Sequence, residues 1–565
     1  MKRIQALFLL TILIISCKPS ETTTEVSNSE EIVQAKDTLK TIHENPRLVV
    51  GIVVDQMRYD YLTRFWARFG DDGFKRLVND GFNCKNNHYN YAPTKTAPGH
   101  ASIFTGTSPK NHGIIGNDWY NKFEKQMVYC AGDTNVEPLG TTSSAGKMSP
   151  HRMVSTSFAD QNRLHTQFKG KTIGVSVKDR GAILPAGHSA NGAYWFEGGE
   201  NGNFISSTYY FEELPIWLQN FNAEKHAEKY LKTWNTLYPI ETYTESGIDK
   251  NTYEYSFRNN EIAAFPYDLK ALSKDNGMTS ILKNTPFGNS LTTDFALAAI
   301  DGEQLGQDKI TDVLTLSYSC TDYVGHNFGV NSKEVEDTYL RLDQDIARVL
   351  NYLDEKVGEG NYTLFLTADH GAVDVPKYLS EKKIPSGYFP MDQFEEDVKT
   401  YLGNEYGAID LIENISNNQV FFNYESLKSR NIEAEDLAEN LKAFMLTYEH
   451  IYKVFTREML ENGTYQNGIE ALVQNGFNQK RSGDIAFEFD PAYISYPEKG
   501  STHGSALSHD THVPLIFFGK GINAGATTAR TEITDIAPTI SALLGISFPN
   551  GMTGKVLYKI IDQEN

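Results

Sequence analysis

The chain has 565 residues and a formal net charge of −20, and 40% of its residues are hydrophobic. Such a length and composition are sufficient for a large α/β domain with insertions. The acidic balance argues against a nucleic-acid scaffold as partner, because a phosphate backbone needs a basic surface. A small phosphorylated substrate remains compatible with it, since metal ions and a few basic side chains create a locally positive site.

Residues 1–45 are predicted to lie outside the folded domain. Residues 1–3 carry positive charge and residues 7–15 are apolar, a pattern typical of a signal peptide and too short for a membrane span. Residues 14–17 (IISC) resemble a bacterial lipobox, in which Cys17 becomes the lipidated N-terminus; an ordinary signal peptide with a chance cysteine is the alternative. Residues 18–45 are rich in Ser, Thr and Glu and predict a flexible tether. We therefore expect an exported protein, periplasmic or anchored in the outer membrane, whose membrane contact is the lipid on Cys17.

Three further cysteines follow, Cys84, Cys130 and Cys320. An oxidising compartment permits one disulfide bond among them. Because Cys320 lies in a strand that looks buried, we expect Cys84 and Cys130 to be the pair, although spacing alone does not determine connectivity.

Residues 46–565 predict a single catalytic α/β domain. Runs of apolar and β-branched residues predict strands, beginning with RLVVGIVV at 47–54, and helical spacing predicts helices between them. Alternating strands and helices favour a doubly wound, mostly parallel central sheet. Stretches at about 191–285 and 377–497 interrupt the pattern and are interpreted as inserted cap segments over the active site. The predicted strands are 47–54, 172–177, 312–319, 362–367 and 513–518, and the predicted helices are 59–78, 291–300, 333–357 and 533–544.

Acidic residues and histidines follow these strands, where ligands of α/β sheets collect. Asp322 and His326 are four residues apart and can meet on one face of a turn. Each motif alone has an ordinary explanation, such as a helix cap or a surface turn. Their joint occurrence favours a pair of Zn²⁺ ions, for which carboxylates and imidazoles are suitable ligands. The candidate ligands are Asp55, Asp322, His326, Asp369, His370 and His503, with His509 and His512 competing for the role of His503.

A nucleophile candidate lies in the segment PTKTAPGH, residues 93–100. Pro98 suits the first turn of a helix, which places Thr96 at the helix N-terminus, where backbone N–H groups favour an anion. The alternative is that Thr96 only caps the helix. His100 is interpreted as a structural hydrogen-bonding residue.

Three further residues are candidates for binding a phosphoryl group. Lys178 and Arg180 follow a predicted strand, and residues two apart on an extended segment point to the same side. A pair of solvated surface charges is the alternative. Asn117 is a plausible third donor, although alone it is typical of a turn.

Together these motifs resemble the alkaline phosphatase superfamily, most closely the phosphate-irrepressible bacterial alkaline phosphatases with a Thr nucleophile, which are related to nucleotide pyrophosphatases and phosphodiesterases. The resemblance extends from about residue 47 to 557. It implies hydrolysis of phosphate monoesters with broad specificity through a phospho-threonine at Thr96. It also implies two Zn²⁺ ions and phosphoryl contacts, with roles distributed as follows: Asp322, His326 and His503 hold one ion, Asp55, Asp369, His370 and the Thr96 oxygen hold the other, and Asn117, Lys178 and Arg180 contact the phosphoryl group.

Rival functions remain open at this point. A phosphodiesterase or nucleotide pyrophosphatase of the same superfamily shares the two-metal core, but Lys178 and Arg180 favour a dianionic monoester. A sulfatase lacks support, because the C-x-P-x-R context is missing from the sequence. A phosphoglycerate mutase would need manganese and a different ligand set. A non-catalytic surface lipoprotein would be expected to have a damaged ligand set. We expect a monomer that acts on small phosphate monoesters.

Overall fold

A ten-stranded sheet forms the centre of the fold. The computed structural model describes residues 44–561, so the signal peptide, Cys17 and nearly all of the predicted tether lie outside the described residues. We number the strands of this sheet along the chain as β1 Leu48–Val54, β2 Phe82–Cys84, β3 Pro138–Leu139, β4 Thr172–Ser176, β5 Gly192–Gly198, β6 Asn203–Ser207, β7 Asp312–Tyr318, β8 Tyr362–Thr367, β9 Leu515–Gly519 and β10 Gly525–Thr527.

The strand order is β10-β2-β9-β8-β1-β7-β4-β5-β6-β3. The five strands from β8 to β5 are mutually parallel, whereas β9 and β6 run antiparallel to their neighbours. Each residue of β1 is buried, which agrees with a continuous apolar run covered on both faces. The predicted mostly parallel α/β sheet is therefore confirmed, with antiparallel strands added at both edges.

The register brings three strand ends to one place. Val53 of β1 pairs with Ser317 of β7 on one side and with Thr367 of β8 on the other. The carboxyl ends of these parallel strands are therefore level, and the residues that follow them emerge at the same edge of the sheet.

Helices cover both faces of the sheet and connect its strands. The helix predicted at 291–300 extends over Pro286–Glu303. The helix predicted at 333–357 is a regular α-helix only as far as Leu353. The α-helices of eight residues or more are α1 Thr96–Thr105, α2 Phe158–His165, α3 Asp179–Ala186, α4 Ile216–Ala223, α5 Pro286–Glu303, α6 Cys320–Phe328, α7 Lys333–Leu353, α8 Met391–Tyr406, α9 Ala434–Met445, α10 Gly468–Gly476 and α11 Ile536–Leu544.

The helix predicted at 59–78 is broken into short helices Asp60–Arg64 and Phe74–Asp80. The cause is Asp343 of α7, whose carboxylate accepts hydrogen bonds from the backbone N–H groups of Gly70 and Phe74 at 2.7 and 2.8 Å. A long-range contact thus stabilises a turn where the local apolar pattern favours a continuous helix.

The two segments predicted as insertions differ in kind. The first begins with β5 and β6, which belong to the central sheet. The second contains a separate four-stranded sheet, Ile412–Ser416, Gln419–Phe422, Ile451–Thr456 and Ile485–Phe489. Its core is a distinct apolar cluster that includes Phe394 and Leu441.

The predicted disulfide bond between Cys84 and Cys130 is wrong. Within residues 44–561 all three cysteines are free and buried. Cys84 ends β2 in the main core, whereas Cys130 packs in another apolar cluster with residues of α3, so burial keeps the two thiols in separate surroundings. No helix in this described part of the chain is long and apolar enough to cross a bilayer.

Two buried glutamates are expected to make stability depend on pH. Burial raises the pKa of Glu334 to about 8, and burial together with the Glu334 charge raises that of Glu254 to about 10. The folded state therefore holds protons that the unfolded state releases near pH 4.3. The stabilisation from these protons is complete below that pH. Above it, the unfolding free energy falls by up to about 1.4 kcal/mol per pH unit for each group, until the pH passes the folded pKa values of about 8 and 10.

We expect denaturant titrations between pH 6 and 9 to show an unfolding free energy that falls with pH. The Glu254→Gln variant should show a shallower slope, because its amide carries no charge. Glu381→Gln, at an exposed position, is the matched control and should keep the wild-type slope. Equal slopes in all three proteins would contradict the assignment.

Candidate active site

The first buried group consists of Asp55, Asp369 and His370, all fully buried beyond the ends of β1 and β8. Nε2 of His370 lies 3.4 Å from Oδ1 of Asp55 and 3.6 Å from Oδ2 of Asp369. Within the described residues, none of these three atoms has a hydrogen-bond partner. Unpaired buried polar atoms are rare in native proteins, and three that converge on one point fit a cation bound between them.

The second group consists of Asp322, His370 and His503, whose ligand atoms lie within 4.8 Å of one another. Asp322 is in the first turn of α6, and His326 follows one turn later with Nε2 3.2 Å from Oδ1 of Asp322. The ring of His326 is centred 5.2 Å from that of His503, so it lies at the edge of this group. His370 thus belongs to both groups, a feature that the sequence does not indicate.

The three histidines share one hydrogen-bonding pattern. Nδ1 of His326, His370 and His503 lies 2.7, 2.9 and 2.8 Å from the backbone carbonyl oxygens of Ser501, Gly371 and Thr94, respectively. A carbonyl accepts only, so each Nδ1 carries the proton and each Nε2 presents its lone pair to the carboxylates. This is the arrangement by which proteins orient metal-ligating imidazoles.

The electrostatics of the site also favour a cation. Burial, reinforced by the negative charge of Asp369, raises the pKa of Asp55 well above its ordinary value. Burial lowers the pKa of His370, and burial with neighbouring His370 lowers that of His503. Carboxylates that repel one another, beside neutral imidazoles, form a donor set for a divalent ion, and binding of the ion would relieve the repulsion.

Lys178 connects the two groups. Its ammonium donates to Oδ2 of Asp55 at 2.8 Å and to Oδ2 of Asp322 at 2.6 Å. It also lies 3.5 Å from Oγ1 of Thr96. The side chain is buried, so its charge acts at short range in a medium of low polarity.

Thr96 is the first residue of α1, as predicted, and is almost fully buried. The capping position belongs to Lys95, so the hydroxyl of Thr96 is directed to Lys178 rather than to the helix backbone. His100, one turn later, has Nδ1 2.9 Å from the carbonyl of Thr96 and 3.3 Å from Oδ2 of Asp369. Its hydrogen bond therefore holds the backbone of Thr96, which agrees with its interpretation as a hydrogen-bonding residue, while Oδ2 of Asp369 stays without a hydrogen-bond partner among the described residues.

Asn117 lies beside the same helix. Its Oδ1 accepts a hydrogen bond from the backbone N–H of Ala97 at 2.9 Å. This contact holds the Asn117 amide next to Thr96.

Arg180 is placed differently from the prediction. Lys178 caps α3 and Arg180 is in its first turn, so the argument from an extended segment is wrong. Arg180 donates from Nη1 to the hydroxyl of Tyr129 at 3.0 Å, while its buried Nε has no partner in the described part of the chain.

The sequence interpretation missed Gln56 and Tyr323. The backbone N–H of Gln56 donates to Asp369 at 3.1 Å, and its side-chain amide donates to Asp322 at 2.7 Å. Gln56 therefore braces one carboxylate of each group. Lys178 Nζ lies 5.0 Å from the centre of the Tyr323 ring. The only sequence signal for either residue is its position next to a candidate ligand.

The competing histidines lie outside both groups. His509 is 3.2 Å from the hydroxyl of Ser505. His512 stacks between Tyr59 and His88. The geometry thus places His503 in the site and leaves these two out of it.

Comparison with known proteins identifies the class. Residues 49–513 match the family model described as type I phosphodiesterase / nucleotide pyrophosphatase. Curated relatives include alkaline phosphatase PafA of Elizabethkingia meningoseptica, 45% identical over 91% of this chain and 94% of its own length. Alkaline phosphatase PhoV of Synechococcus elongatus is 44% identical over 91% and 93%. A Myroides odoratus protein named calcium-transporting ATPase is 45% identical over 92% and 95%.

The crystal structure of wild-type PafA superimposes with a TM-score of 0.88, at 45% identity, over 92% of this chain and 99% of that one. The chain belongs to the type I phosphodiesterase / nucleotide pyrophosphatase family. Within it, the protein is an alkaline phosphatase of the PafA type, a phosphomonoester hydrolase with two candidate metal-binding groups.

Proposed function

We propose that this phosphatase cleaves a broad range of phosphate monoesters with Thr96 as nucleophile and Zn²⁺ in the two buried groups. The observation that carries the proposal is the convergence of the three unpartnered atoms of Asp55, Asp369 and His370 near the helix that begins at Thr96. A mixed set of imidazole and carboxylate donors suits Zn²⁺. Asp322, His326 and His503 would hold one ion, and Asp55, Asp369, His370 and Thr96 the other.

Bound zinc would supply Lewis acidity, which makes a hydroxyl acidic enough to react near neutral pH. In the first step, the Thr96 oxygen forms a bond to phosphorus while the bond to the leaving alcohol breaks, which gives a phospho-threonine. In the second step, water takes the phosphoryl group and Thr96 is regenerated. Lys178 and Arg180 stabilise charge on the phosphoryl oxygens, and the Asn117 amide donates to one of them.

A solved variant of PafA is substituted at four residues of the types proposed here. Its four substitutions replace a Thr by Ser and an Asn, a Lys and an Arg by Ala. These residue types occur in the same order as Thr96, Asn117, Lys178 and Arg180 in this chain. The substitutions were made in PafA, and we take the match in residue type and order as an analogy for this chain.

A diesterase is the second candidate, because the matched family model bears that description. The two ester classes differ in charge, since a monoester carries one more negative charge than a diester. Lys178 lies 3.5 Å from Oγ1 of Thr96, and Arg180 follows it in the first turn of α3, an arrangement that favours the more highly charged substrate. Steady-state rates with p-nitrophenyl phosphate and bis(p-nitrophenyl) phosphate test this directly. A larger kcat/KM for the diester would reverse the proposal.

Removal of Arg180 should distinguish the two substrate classes. We expect Arg180→Ala to lower kcat/KM for p-nitrophenyl phosphate about 100-fold, because a charge-assisted contact to a phosphoryl oxygen is lost. The loss for the diester should be about tenfold or less, since one fewer charged oxygen is available. Arg430→Ala is the matched control, because that arginine pairs with Asp410 at the surface. Equal losses on both substrates would contradict the assigned contact.

The breadth of specificity needs its own test. Methyl phosphate, glycerol phosphate, a sugar phosphate and a nucleoside monophosphate should all be hydrolysed by the zinc-loaded enzyme. Activity on one of them alone would contradict the proposal.

A further inference from the structure

A cleft of about 120 Å³ opens beside the candidate metal-binding groups. One wall is built from the site loops and includes His503. The other belongs to the second inserted segment and includes Asn417, between two strands of its four-stranded sheet, and Tyr493. None of Asn117, Lys178 and Arg180 lines it. Given the proposed function, the residues that contact the phosphoryl group are outside this lining, which leaves the cleft for the leaving group.

Lys95 contributes a positive charge to this cleft. It directly precedes Thr96, and Cε of Lys95 lies 3.5 Å from where a Cβ on Gly504 would be, so its stem runs over the loop that carries His503. Its ammonium donates to Oδ1 of Asn417 at 3.2 Å. Among residues 44–561 no carboxylate oxygen lies within 4.0 Å of it, so its hydrogen-bonding partner is a neutral amide.

The acidic residues of the cleft do not pair with Lys95, because each has another partner or is held uncharged. Oδ2 of Asp510 accepts from the backbone N–H groups of Gly504 and Ser505 and from the Ser505 hydroxyl, at 2.7 to 3.0 Å. Asp490 lies 3.2 Å from Nδ1 of His450. Burial raises the pKa of Glu488 to about 8, so its carboxyl is protonated at neutral pH. Burial lowers the pKa of Lys95, and the charges of Asp118 and Asp510 oppose this shift. No carboxylate of the cleft pairs directly with the Lys95 ammonium, which is therefore free to meet an anion that enters.

Asn417 fixes the position of this lysine. It is at the tip of a hairpin, where Asn417 and Asn418 both adopt left-handed backbone conformations with φ of 52° and 55°. Its Oδ1 binds Lys95, and its Nδ2 donates to the backbone carbonyl of Asp118 at 2.8 Å. The hairpin tip thus connects the residues adjacent to Thr96 and to Asn117. It preorganises a donor at the mouth of the cleft, which reduces the cost of ordering on binding.

We infer that Lys95, held by Asn417, binds a second phosphate on the leaving group of the substrate. The substrates that this subsite favours are esters or anhydrides whose leaving group is itself anionic, such as nucleoside diphosphates. This inference rests on the proposed function, because it takes the orientation of the phosphoryl group from Thr96. A charge-assisted contact of this kind is expected to contribute about tenfold in kcat/KM.

Two substrates and two variants of the zinc-loaded full chain test the inference. ADP has an anionic leaving group, whereas the leaving group of methyl phosphate is uncharged. Lys95→Met should lower kcat/KM about tenfold for ADP and less than about twofold for methyl phosphate. Lys95→Arg should restore most of the ADP activity, because it returns the charge. Zinc content, measured by mass spectrometry, should be the same in all three proteins.

The outcomes are distinct. An equal loss of kcat/KM for both substrates would contradict the proposed subsite, because Lys95 would then act only through Thr96. No loss of kcat/KM for either substrate would contradict it as well. Failure of Lys95→Arg to restore any ADP preference would overturn it as well. A wild-type enzyme that hydrolyses neither substrate would instead overturn the proposed function.

Discussion

Thr96→Ala is expected to lower kcat for p-nitrophenyl phosphate by on the order of 10⁴-fold, because the variant has no oxygen to form the phospho-threonine. Thr96 starts α1, and its side chain approaches Lys178 rather than the helix backbone, so the change should leave the fold intact. Metal content should stay near two ions per chain, since Asp55, Asp369 and His370 remain.

The control for this prediction is Thr96→Ser, which keeps the hydroxyl and should retain much more activity than the alanine variant. Trapping of labelled phosphate on wild-type protein, and its absence from Thr96→Ala, would connect the loss to the covalent step. An alanine variant that had lost both metal ions would show that Thr96 is structural, and one with near-normal turnover would exclude it as nucleophile.

His370→Ala should be the most damaging ligand substitution. His370 is the residue that both candidate groups share, with Nε2 3.4 Å from Asp55 and its ring stacked 3.4 Å from that of His503. We therefore expect the ion held with Asp55 and Asp369 to be lost, the binding of its neighbour to be weakened, and kcat/KM to fall by at least about 10³-fold. Metal analysis of the purified variant, beside activity, measures this.

Two histidine variants serve as comparisons. His326→Ala should lower the metal content toward one ion, because this residue lies at the edge of the second group only. His509→Ala should keep both ions, since His509 contacts Ser505 and lies outside both groups. If His370→Ala kept two ions, the shared position of this residue would have no functional meaning.

Local sequence determined much of this protein. The run at 47–54 is apolar at nearly every position, and the burial of such a run on both faces requires a parallel sheet interior, so β1 and its neighbours were predictable. Pro98, which suits the first turn of a helix, predicts the start of α1 at Thr96. Asp322, Asp369 and His370 were recognisable because they follow strands, and in parallel sheets those ends share one edge.

Long-range contacts decided the remainder. The break in the helix at 59–78 depends on a carboxylate from Asp343, more than 260 positions away in the chain. The roles of Gln56 and Lys178 follow from contacts with carboxylates that come after other strands, which no local pattern encodes. Helix α3 begins where the alternation of Lys178 and Arg180 predicted an extended segment. The free state of Cys84 and Cys130 follows from their burial in separate clusters.

This difference between what local sequence predicts and what long-range contacts decide has a physical reason. Periodicity and end signals are properties of neighbouring residues, so the sequence by itself determined which strands form and which residue types follow them. Distances between side chains depend on strand register and on helix packing, which arise only when the whole core closes. Tertiary structure therefore decided that His370 belongs to both candidate metal-binding groups, that Lys178 lies between them, and that a hairpin from the second inserted segment holds Lys95 at the cleft.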